Sequence, residues 1–314
     1  MEEVYYRYSK YLKQKYKEKT YKLPISLPIS CPNRENGGRG CIYCGISGAG
    51  FENLGAFSVT KQLEINKNYI GEKYKANKFI AYFQSFTNTY MPLSSFKAYI
   101  KEAAIFGVSE IAVSTRPDCI SFEYLDALKE IKFGFGTEIT IELGLQSVNL
   151  RTLKNINRGH SIAEYIDAVL RIKEYGFQIC THLILNLPWD EDEDAVEAAK
   201  IISALGTDFV KLHALYIEKG TELAALYEKG ELFICSFSEY EERVMLFLRY
   251  LSPDIAVERL IGRAPLEDTL FANWGMSWWK IHDEICAKML ERGICQGDLF
   301  DYLGGKAVKE YKNM

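Results

Sequence analysis

The sequence lacks the features that mark secreted and membrane proteins. No run approaches the ~18 apolar residues that a membrane-spanning helix needs, and the polar N-terminus has no apolar segment of the kind found in signal peptides. The whole chain is not a polycation either, because its formal net charge is -4. We therefore expect a cytoplasmic protein without a membrane partner.

Histidine is scarce, with four residues in 314, whereas cysteine is not, with eight. Disulfides are rare in the cytosol, so these cysteines are expected to be reduced thiols. With 48% hydrophobic residues the chain can bury a core without disulfide staples. Clustered thiols in that compartment indicate a metal site or a catalytic site.

Positive charge is concentrated at the N-terminus. Residues 1–22 carry seven Lys or Arg side chains, three Glu side chains and six tyrosines. Basic groups bind phosphates and aromatic rings stack on unpaired bases, so this composition would suit an RNA partner. The other interpretation is a tyrosine-rich amphipathic helix over residues 1–21 that docks on the rest of the protein.

A repeated unit occupies the middle of the chain, in which a helical pattern ends in glycine and a short apolar strand follows. Glycine ends a helix at low cost, because it has no Cβ to clash in the left-handed conformation. Alternating strands and helices predict a parallel sheet covered by helices, as an open doubly wound sheet or a closed or partial (β/α) barrel. Both place their chemistry at the C-terminal ends of the strands. The strands are predicted over residues 23–29, 111–114, 138–145, 179–187 and 209–215.

After about residue 220 the alternation fades. Helical patterns over residues 237–251 and 276–292 are interrupted by one strand-like segment, residues 255–261. We expect a sheet domain over residues 22–220 and a mainly helical C-terminal extension over residues 221–314 that packs on it.

Helix starts are visible in the same region. The spacing of Ser161 to Glu164 and of Ser238 to Glu241 fits a capping box. The acidic run over residues 190–194 is typical of a helix N-terminus, where the helix dipole favours carboxylates.

Three cysteines, Cys31, Cys41 and Cys44, lie in a glycine-rich segment directly after the first predicted strand. No fourth cysteine and no histidine is near them in sequence. Structural zinc takes four protein ligands, and an iron–sulfur cluster normally takes four thiolates. Three thiolates would leave one iron of a cluster open to a cofactor or substrate. A zinc site that borrows a distant ligand and three incidental cysteines are the alternatives.

The spacing Cys-x9-Cys-Ile-Tyr-Cys resembles the cluster motif of the radical S-adenosylmethionine (radical SAM) superfamily, which ends in Cys, any residue, an aromatic residue and Cys. The usual first gap of that motif is shorter. Over essentially its whole length the chain is similar to the YhcC-like group, which is related to the radical SAM domain of the elongator catalytic subunit. The other segments that carry the resemblance are residues 22–26, 31–34, 82–90, 114–118, 142–147, 157–160 and 211–213.

This resemblance implies a partial (β/α)6 TIM-type radical SAM barrel that holds a [4Fe-4S] cluster through the three cysteines. The open iron would bind the amino and carboxylate groups of S-adenosyl-L-methionine, and reductive cleavage would yield a 5′-deoxyadenosyl radical. A low-potential electron donor of the flavodoxin or ferredoxin type would be a partner. The cofactor performs the difficult chemistry while the protein positions it and excludes water.

The resemblance also implies roles for other residues. Tyr43 is expected beside the adenine, and Arg158 is expected to bind the methionine carboxylate. Glu142 lies in an apolar strand, where a buried carboxylate needs a partner, either the cofactor or a structural ion pair. The superfamily's glycine-rich stretch after the second strand is replaced here by residues 84–88. The methionine amino group is therefore expected to meet Ser85, Thr87 or Asn88.

Further residues complete the expected site at the same mouth of the barrel. His160 is expected near this mouth. The histidines as a group could move protons or contact substrate, although a histidine in a strand is more often a core residue. Cys119, Cys180 and Cys235 are interpreted as small buried residues, and Cys286 and Cys295 are too few for a second cluster. The remaining expected cofactor-binding residues are Ser114, Arg116, Asp118, Gln146, His182, Asn186 and His213.

The expected substrate follows from the family analogy and the basic N-terminus. It is tRNA, and within it the wobble uridine side chain, with 5-carboxymethylaminomethyluridine losing its carboxymethyl group to leave the aminomethyl form. No acetyltransferase domain like that of the elongator subunit is expected after residue 314. The alternatives are a radical SAM enzyme for a small, tetrapyrrole-type molecule and a non-catalytic iron–sulfur or zinc module.

Overall fold

The architecture was taken from a computed structural model that describes residues 3–35, 38–45, 54–264 and 268–309. None of the helices in these ranges is both long enough and apolar enough to cross a membrane. The strands are β1 (Thr20–Ile25), β2 (Lys78–Phe83), β3 (Glu110–Thr115), β4 (Glu138–Gln146), β5 (Gln178–Ile184), β6 (Phe209–His213), β7 (Ile217–Glu218), β8 (Ala256–Arg259) and β9 (Thr269–Phe271). The helices are α1 (Tyr8–Tyr16), α2 (Val59–Tyr74), α3 (Leu93–Ile105), α4 (Phe122–Phe135), α5 (Leu150–Asn155), α6 (Ile162–Glu174), α7 (Asp192–Leu205), α8 (Glu222–Glu228), α9 (Phe237–Tyr250), α10 (Trp278–Glu291) and α11 (Lys306–Lys309).

One parallel sheet organises the chain. Its strand order is β1-β2-β3-β4-β5-β6-β8, and β1 and β8 are the two edges, so the sheet forms a half-barrel with an open side. A partial barrel was predicted and is confirmed, but it has seven strands where six were expected. The seventh strand, β8, belongs to the C-terminal extension, which therefore completes the sheet as well as packing on it. The two short strands β7 and β9 pair separately and antiparallel.

The helix starts follow local capping chemistry. The predicted capping box between Ser161 and Glu164 opens α6. Helix α9 opens on a box between Ser236 and Glu239, two residues before the predicted pair, because Ser236 is the residue with the extended backbone that an N-cap needs. The acidic run lies in the first turn of α7, as the helix-dipole interpretation predicted.

The N-terminal segment differs from the prediction. Helix α1 ends at Tyr16, where Lys17 adopts a left-handed conformation with φ of 60°. Strand β1 begins at Thr20, inside the segment predicted as helix. It ends at Ile25, whereas the predicted strand ran to residue 29. Thr20 and Tyr21 are residue types that favour strands, which explains why β1 begins earlier than predicted.

Helix α1 closes the N-terminal end of the half-barrel. Its Tyr8 and Leu12 are buried against the interior faces of the strands, where Phe209 lies under the Tyr8 ring at 4.9 Å between centroids. The fully buried carboxylate of Glu110 accepts hydrogen bonds from the Tyr16 hydroxyl at 2.6 Å and the Lys15 ammonium at 3.1 Å. The docked-helix interpretation of the tyrosine-rich segment is therefore what the structure shows.

Candidate active site

The interior of the half-barrel is built in three levels. At the N-terminal ends of the strands it is mostly apolar, apart from the buried Glu110 carboxylate, and is closed by α1. At the middle level it is charged, and at the C-terminal ends it opens into a cavity of about 430 Å³. The apolar level comprises Ile80, Ala112, Cys180, Phe209 and Ala256.

The cysteine segment forms one wall of the upper cavity. Cys31, Cys41 and Cys44 all line it, so three thiols that are separated in sequence converge on one space. The Gly40 amide donates to the Asn33 carbonyl at 2.8 Å, which closes the loop on itself, and the φ of Gly40 is +83°, a conformation that favours glycine.

Backbone bonds to other elements hold this loop in place. The Ile42 amide donates to the Ile156 carbonyl at 3.1 Å, and the Leu223 amide at the start of α8 donates to the Ile42 carbonyl at 2.9 Å. The Ile42 side chain is buried in an apolar cluster with Leu153 and Leu215. The loop is therefore supported from both the α5 segment and α8.

Cationic groups face the thiols. Arg158 Nη1 lies 3.7 Å from the Cys41 sulfur, and Arg116 Nη1 lies 3.7 Å from the Cys31 sulfur. A hydrogen bond from the Cys44 thiol and the Arg158 charge outweigh burial and hold the pKa of Cys41 well below its usual value. The same hydrogen bond, with burial, raises the pKa of Cys44, so this environment favours one thiolate, at Cys41, the form in which cysteine binds metals.

The spacing of the thiols bears on which metal they suit. Ligands around one zinc ion lie about 4 Å apart, given Zn–S bonds of about 2.3 Å in a tetrahedron. Within the described residues, the group of ligand-type side chains that meets such a limit is Glu142, Cys180 and His182, not the three cysteines. At least one of the three sulfur–sulfur distances is therefore longer than 4.8 Å, which a cluster of several irons could span, with one iron left without a protein ligand.

The Arg158 side chain does not point freely into the cavity as predicted for a carboxylate ligand. Its Nη2 donates to the Gly144 carbonyl at 2.7 Å, and its Nε donates to His160 Nε2 at 3.0 Å. Burial, and then the neighbouring Arg158 charge, lower the pKa of His160 to about 4, so this ring is a neutral acceptor. His160 is thus not one of the residues that line the cavity but the support that holds Arg158 beside Cys41.

Gly144 leaves room for this arrangement. A Cβ atom at this position would lie 2.6 Å from Arg158 Nη2 and 2.9 Å from Gln146 Nε2. Gln146 ends β4 with a φ of +75°, next to an irregularity in the pairing of β4 with β5, and it lines the cavity as predicted. A non-glycine residue in this conformation at a cavity wall marks a position where the surrounding structure fixes the backbone.

Glu142 lies at the middle level, inside the barrel as predicted, and its carboxylate is already partnered. Its Oε1 accepts from Lys22 at 2.6 Å, and its Oε2 accepts from Lys211 at 3.0 Å and from His182 at 2.6 Å. Burial alone would raise the pKa of Glu142, but the two ammonium groups and His182 hold it well below its usual value. The ion-pair alternative therefore describes Glu142 in this structure.

A second carboxylate completes this charged level. Glu258 contacts Lys22 at 2.5 Å and Lys211 at 2.9 Å, so two ammonium groups face two carboxylates. Burial and Lys211 lower the pKa of His182, which leaves it neutral beside them. Sequence reasoning missed Lys22, Lys211 and Glu258. The sequence offered one indication of this charged level, a lysine within an otherwise apolar strand, as with Lys211 in the strand over residues 209–213.

The segment after β2 was only partly predicted. Thr87 lines the cavity, together with Gln84 and Phe86. Ser85 instead bonds to Ser26 at 3.2 Å between hydroxyl oxygens, and Asn88 donates to the carbonyls of Phe83, Ser85 and Ser114. Ser85 and Asn88 are thus buried and stabilise the turn after β2, because the backbone carbonyls of this short turn need side-chain donors.

Two other residues predicted to bind the cofactor instead form hydrogen bonds within the protein: Asn186 with a backbone amide and Asp118 with a neighbouring side chain. Asn186 Oδ1 accepts from the Leu215 amide at 2.5 Å and is buried away from the cavity. Asp118 accepts both hydrogen bonds of a two-pronged pair with Arg116, at 2.9 and 2.6 Å, and only Arg116 lines the cavity. The predicted residues that do line it are Tyr43, Thr87, Ser114, Arg116, Glu142, Gln146, Arg158, His182 and His213.

The remaining cysteines do not gather near the cavity. Cys180 is fully buried, as predicted, whereas Cys119 and Cys235 are half-buried and so only partly fit the prediction of buried residues. Cys286 lies 3.6 Å from His282 Nε2, and Cys295 is exposed. Among the residues that the structure describes, these two cysteines belong to no group of three or more metal-type ligands.

Comparison with known proteins adds to this geometry. The family model of the radical SAM superfamily matches residues 30–202, and that of the radical SAM C-terminal domain matches residues 207–291. The protein YtqA of Bacillus subtilis (strain 168) is 32% identical over 96% of this chain and 94% of its own length. The protein YhcC of Escherichia coli (strain K12) is 30% identical over 90% of this chain and 91% of its own length.

More distant similarities are partial. A tRNA uridine(34) acetyltransferase of Methanocaldococcus infernus is 30% identical over 46% of this chain, which corresponds to 26% of that protein. The solved structure of Elp3 from the same organism, with an N-terminal deletion of residues 1–46, superposes with a TM-score of 0.70 at 17% identity. That likeness covers 88% of this chain and 64% of the Elp3 chain, and it supports the shared half-barrel fold.

The half-barrel, the three convergent thiols and these matches define the class: the chain belongs to the radical SAM superfamily, whose members use a [4Fe-4S] cluster and S-adenosylmethionine. Within that superfamily it falls in the YhcC-like group, which is related to Elp3.

Proposed function

We propose that this radical SAM enzyme modifies tRNA, with Cys31, Cys41 and Cys44 as the ligands of its [4Fe-4S] cluster. The observation that carries the proposal is the convergence of these three thiols, faced by Arg116 and Arg158, on one cavity at the C-terminal ends of the strands. When bound, the cluster and S-adenosylmethionine supply a 5′-deoxyadenosyl radical that removes a hydrogen atom from the substrate. A flavodoxin- or ferredoxin-type protein would deliver the electron.

The chain's own residues would position these groups and keep the site dry. Arg158, held by His160 and the Gly144 carbonyl, places a fixed positive charge beside the Cys41 sulfur. Tyr43, between Cys41 and Cys44 in sequence, lines the cavity, and we propose that it packs against the adenine. The charged level below forms the cavity floor, where Lys22 and Lys211 are both paired with the Glu142 carboxylate.

An RNA substrate is supported by a second cavity of about 800 Å³ that lies between the edge strands β1 and β8, on the open side of the half-barrel. Lys13, Lys17 and Lys19 line it and are exposed, and Tyr21 and Trp278 add aromatic surface. Lysines in such a groove suit phosphates. The tyrosines of α1 are engaged in packing, so we assign the RNA contact to the lysines rather than to base stacking by α1.

The two cavities share wall residues. Lys22, Glu258 and Arg259 line both, so the open side leads towards the cysteines. A backbone bound in the outer groove could thus present one base to the inner cavity. This arrangement supports a reaction on a nucleoside side chain, for which we propose the wobble uridine, with 5-carboxymethylaminomethyluridine converted to its aminomethyl form. Loss of a hydrogen atom from the carboxymethyl carbon and of one further electron, which would return to the cluster, would give an imine, and water would cleave its C–N bond to leave the aminomethyl group and release glyoxylate.

The first experiment tests cofactor cleavage. The protein is reconstituted anaerobically with iron and sulfide, reduced with dithionite and assayed for 5′-deoxyadenosine formation from S-adenosylmethionine. Wild type and the exposed-site control Cys295→Ala should form it, whereas the double variant Cys41→Ala/Cys44→Ala should not. A wild-type protein that binds no iron would refute the cluster assignment.

The second experiment tests the substrate. Total tRNA from a strain that lacks the gene is incubated with the holoenzyme, and its nucleosides are quantified by mass spectrometry. We expect 5-carboxymethylaminomethyluridine to decrease and the aminomethyl form to increase. An unchanged nucleoside profile, with 5′-deoxyadenosine still formed, would exclude this tRNA reaction and favour a small-molecule substrate.

A further inference from the structure

Strand β8 contains an irregularity that turns one extra side chain into the barrel. Val210 of β6 pairs with Val257, but the next residue, Lys211, pairs with Arg259, so Glu258 is the additional residue. Successive side chains of a regular strand point to opposite faces. Because Lys211 points inwards to Glu142, its partner Arg259 also points inwards, beside the inward-facing Glu258. Bulges commonly re-aim side chains in this way next to active sites.

The Arg259 side chain stands where the two cavities meet. It lines both the inner cavity at the cysteines and the outer groove between β1 and β8. Its Nη2 donates to His213 Nδ1 at 2.8 Å, and its Nε is buried without a hydrogen-bond partner. A guanidinium offers five N–H donors in a rigid fork, so donors remain for a ligand.

Arg259 has no carboxylate partner among the described residues, unlike Lys22, Lys211 and Arg116. Lys22 and Lys211 are paired with carboxylates, and Arg116 is paired with Asp118. Arg158 faces the Cys41 thiol. Arg34 donates to the Cys44 carbonyl at 3.1 Å.

The partner of Arg259 is a neutral ring. Burial, and then the Arg259 charge itself, hold the pKa of His213 well below its usual value. His213 therefore orients the guanidinium without neutralising it. A partly buried cation that keeps a neutral neighbour and an unused donor is a site for an anion supplied from outside.

We propose that Arg259, oriented by His213, binds an oxyanion of the substrate, and that this oxyanion is the carboxylate of the modified uridine side chain. The identity of the carboxylate rests on the proposed function, whereas the oxyanion site rests on the geometry. The planar fork suits a carboxylate through two parallel hydrogen bonds. The exposed lysines of the outer groove are available for backbone phosphates, and the cofactor's carboxylate would be held on the side of the cysteines, where Arg116 and Arg158 lie.

The test compares Arg259→Gln with Arg263→Gln, a matched loss of one positive charge at an exposed arginine outside both cavities. Binding of acetate and of inorganic phosphate to each reconstituted holoenzyme is measured by calorimetry. We expect wild type and Arg263→Gln to bind both anions and Arg259→Gln to bind them at least about tenfold more weakly. Equal binding by wild type and Arg259→Gln, or no binding by wild type, would overturn the site.

Two further measurements separate the sources of the anion. The affinity for S-adenosylmethionine, measured by equilibrium dialysis, should not change in Arg259→Gln; a drop of about tenfold would assign the site to the cofactor's carboxylate and overturn the proposal. Wild type should also bind 5-carboxymethylaminomethyluridine at least about tenfold more tightly than its uncharged methyl ester, and Arg259→Gln should lose that preference.

The outcomes distinguish the site from the function. If acetate binding depends on Arg259 but the carboxylated nucleoside shows no preference over its ester, the oxyanion site stands and the uridine substrate is wrong. Should Arg259→Gln fail to fold, as judged by its circular dichroism, Arg259→Lys replaces it. This variant keeps the charge and loses the two parallel hydrogen bonds, so its preference for the carboxylated nucleoside over the ester should be smaller than that of wild type but should not vanish; an unchanged preference would overturn the proposal.

Discussion

The Nζ atom of Lys211 lies 3.0 Å from Oε2 of Glu142 in the centre of the half-barrel, where both side chains are buried. Lys22 contacts the other oxygen of the same carboxylate at 2.6 Å, and Glu258 joins both lysines. The charges balance within the barrel, so removing one member leaves a buried charge without its partner. Such a loss costs far more than the pair itself contributes.

We expect Glu142→Gln to lower the free energy of unfolding by about 3 kcal/mol or more, because two buried ammonium groups would then share one carboxylate. Urea unfolding of the apoprotein, followed by circular dichroism, measures this change. The control is Glu138→Gln, which removes a partner of Lys132 at 3.0 Å on the surface. An exposed pair of this kind contributes about 0–1 kcal/mol. Equal effects of the two substitutions would contradict the buried network.

Elements of the fold that are determined by short stretches of sequence could be predicted from the sequence. Glycines such as Gly136 and Gly206 end their helices in the left-handed conformation, and an apolar strand follows each, as predicted. The strand-like segment over residues 255–261 predicted β8 itself, but not its place as the seventh strand of the sheet. β8 is four residues long, and its pairing with β6 depends on contacts between residues almost fifty positions apart.

The candidate site, too, could be predicted only where its residues lie close together in the sequence. The three cysteines lie in one short segment, so their spacing alone predicted that they converge. Asn88 and Asn186 are polar residues at strand ends like the true cavity-lining residues, and only the three-dimensional turn decides that they bond to backbone carbonyls and amides instead. Arg259 could not be predicted, because a single bulge decides which face of β8 it occupies.

Gly144→Ala should alter the site more than the fold. The new methyl group would lie 2.6 Å from Arg158 Nη2, and the long arginine side chain can move away from it. Arg158 would then leave its position beside the Cys41 sulfur, and the thiolate would lose a stabilising charge. We expect the reconstituted variant to lose iron to a chelator several times faster than wild type.

Gly134→Ala is the control for this substitution. Gly134 lies in α4, and nothing lies within 4 Å of the position that the new methyl group would take. Alanine is favoured over glycine in a helix by up to about 1 kcal/mol, so this variant should be slightly stabilised and keep its iron. A Gly144→Ala protein that releases iron at the wild-type rate would show that Arg158 does not support the thiolate.

Stability of the apoprotein should depend on pH through His160. Burial and Arg158 lower its pKa to about 4, while the unfolded chain binds a proton near pH 6.5. Between these values the unfolded state holds more protons, so stability is fully present above pH 6.5 and is lost as the pH falls towards about 4. His160→Gln should flatten the rise of the unfolding free energy between pH 4.5 and 6 by about 1 kcal/mol per pH unit.

Asp190 provides a contrast of opposite sign. Burial raises its pKa to about 6, so the folded state holds the extra proton and the stability from this group is lost as the pH rises towards 6. Asp190→Asn should therefore steepen the pH dependence that His160→Gln flattens. Urea titrations at four pH values between 4.5 and 7 measure both slopes. Parallel curves for wild type and His160→Gln would show that this ring is not held neutral by the fold.

The docking of α1 depends on one carboxylate at the closed end of the barrel. Glu110 is fully buried and accepts from the Tyr16 hydroxyl at 2.6 Å, from Lys15 at 3.1 Å and from the Thr140 hydroxyl at 2.8 Å. Tyr16→Phe removes one of these bonds and adds none. Hydrogen bonds to a charged group contribute about 1.5–3 kcal/mol, and we expect a loss of that size in urea unfolding.

Tyr6→Phe is the matched control, since the Tyr6 hydroxyl bonds to Gln14 at the surface. Water can replace that bond, so the loss should stay within about 0.5 kcal/mol. If Tyr16→Phe loosens α1, proteolysis should also cut near residues 17–19 faster than in wild type, because local opening exposes that connection before the whole domain unfolds. Faster cutting in Tyr16→Phe but not in Tyr6→Phe would tie the position of the N-terminal lysines, and with it the outer groove, to the Glu110 carboxylate. Identical cutting of both variants would mean that apolar packing of Tyr8 and Leu12 alone holds the helix in place.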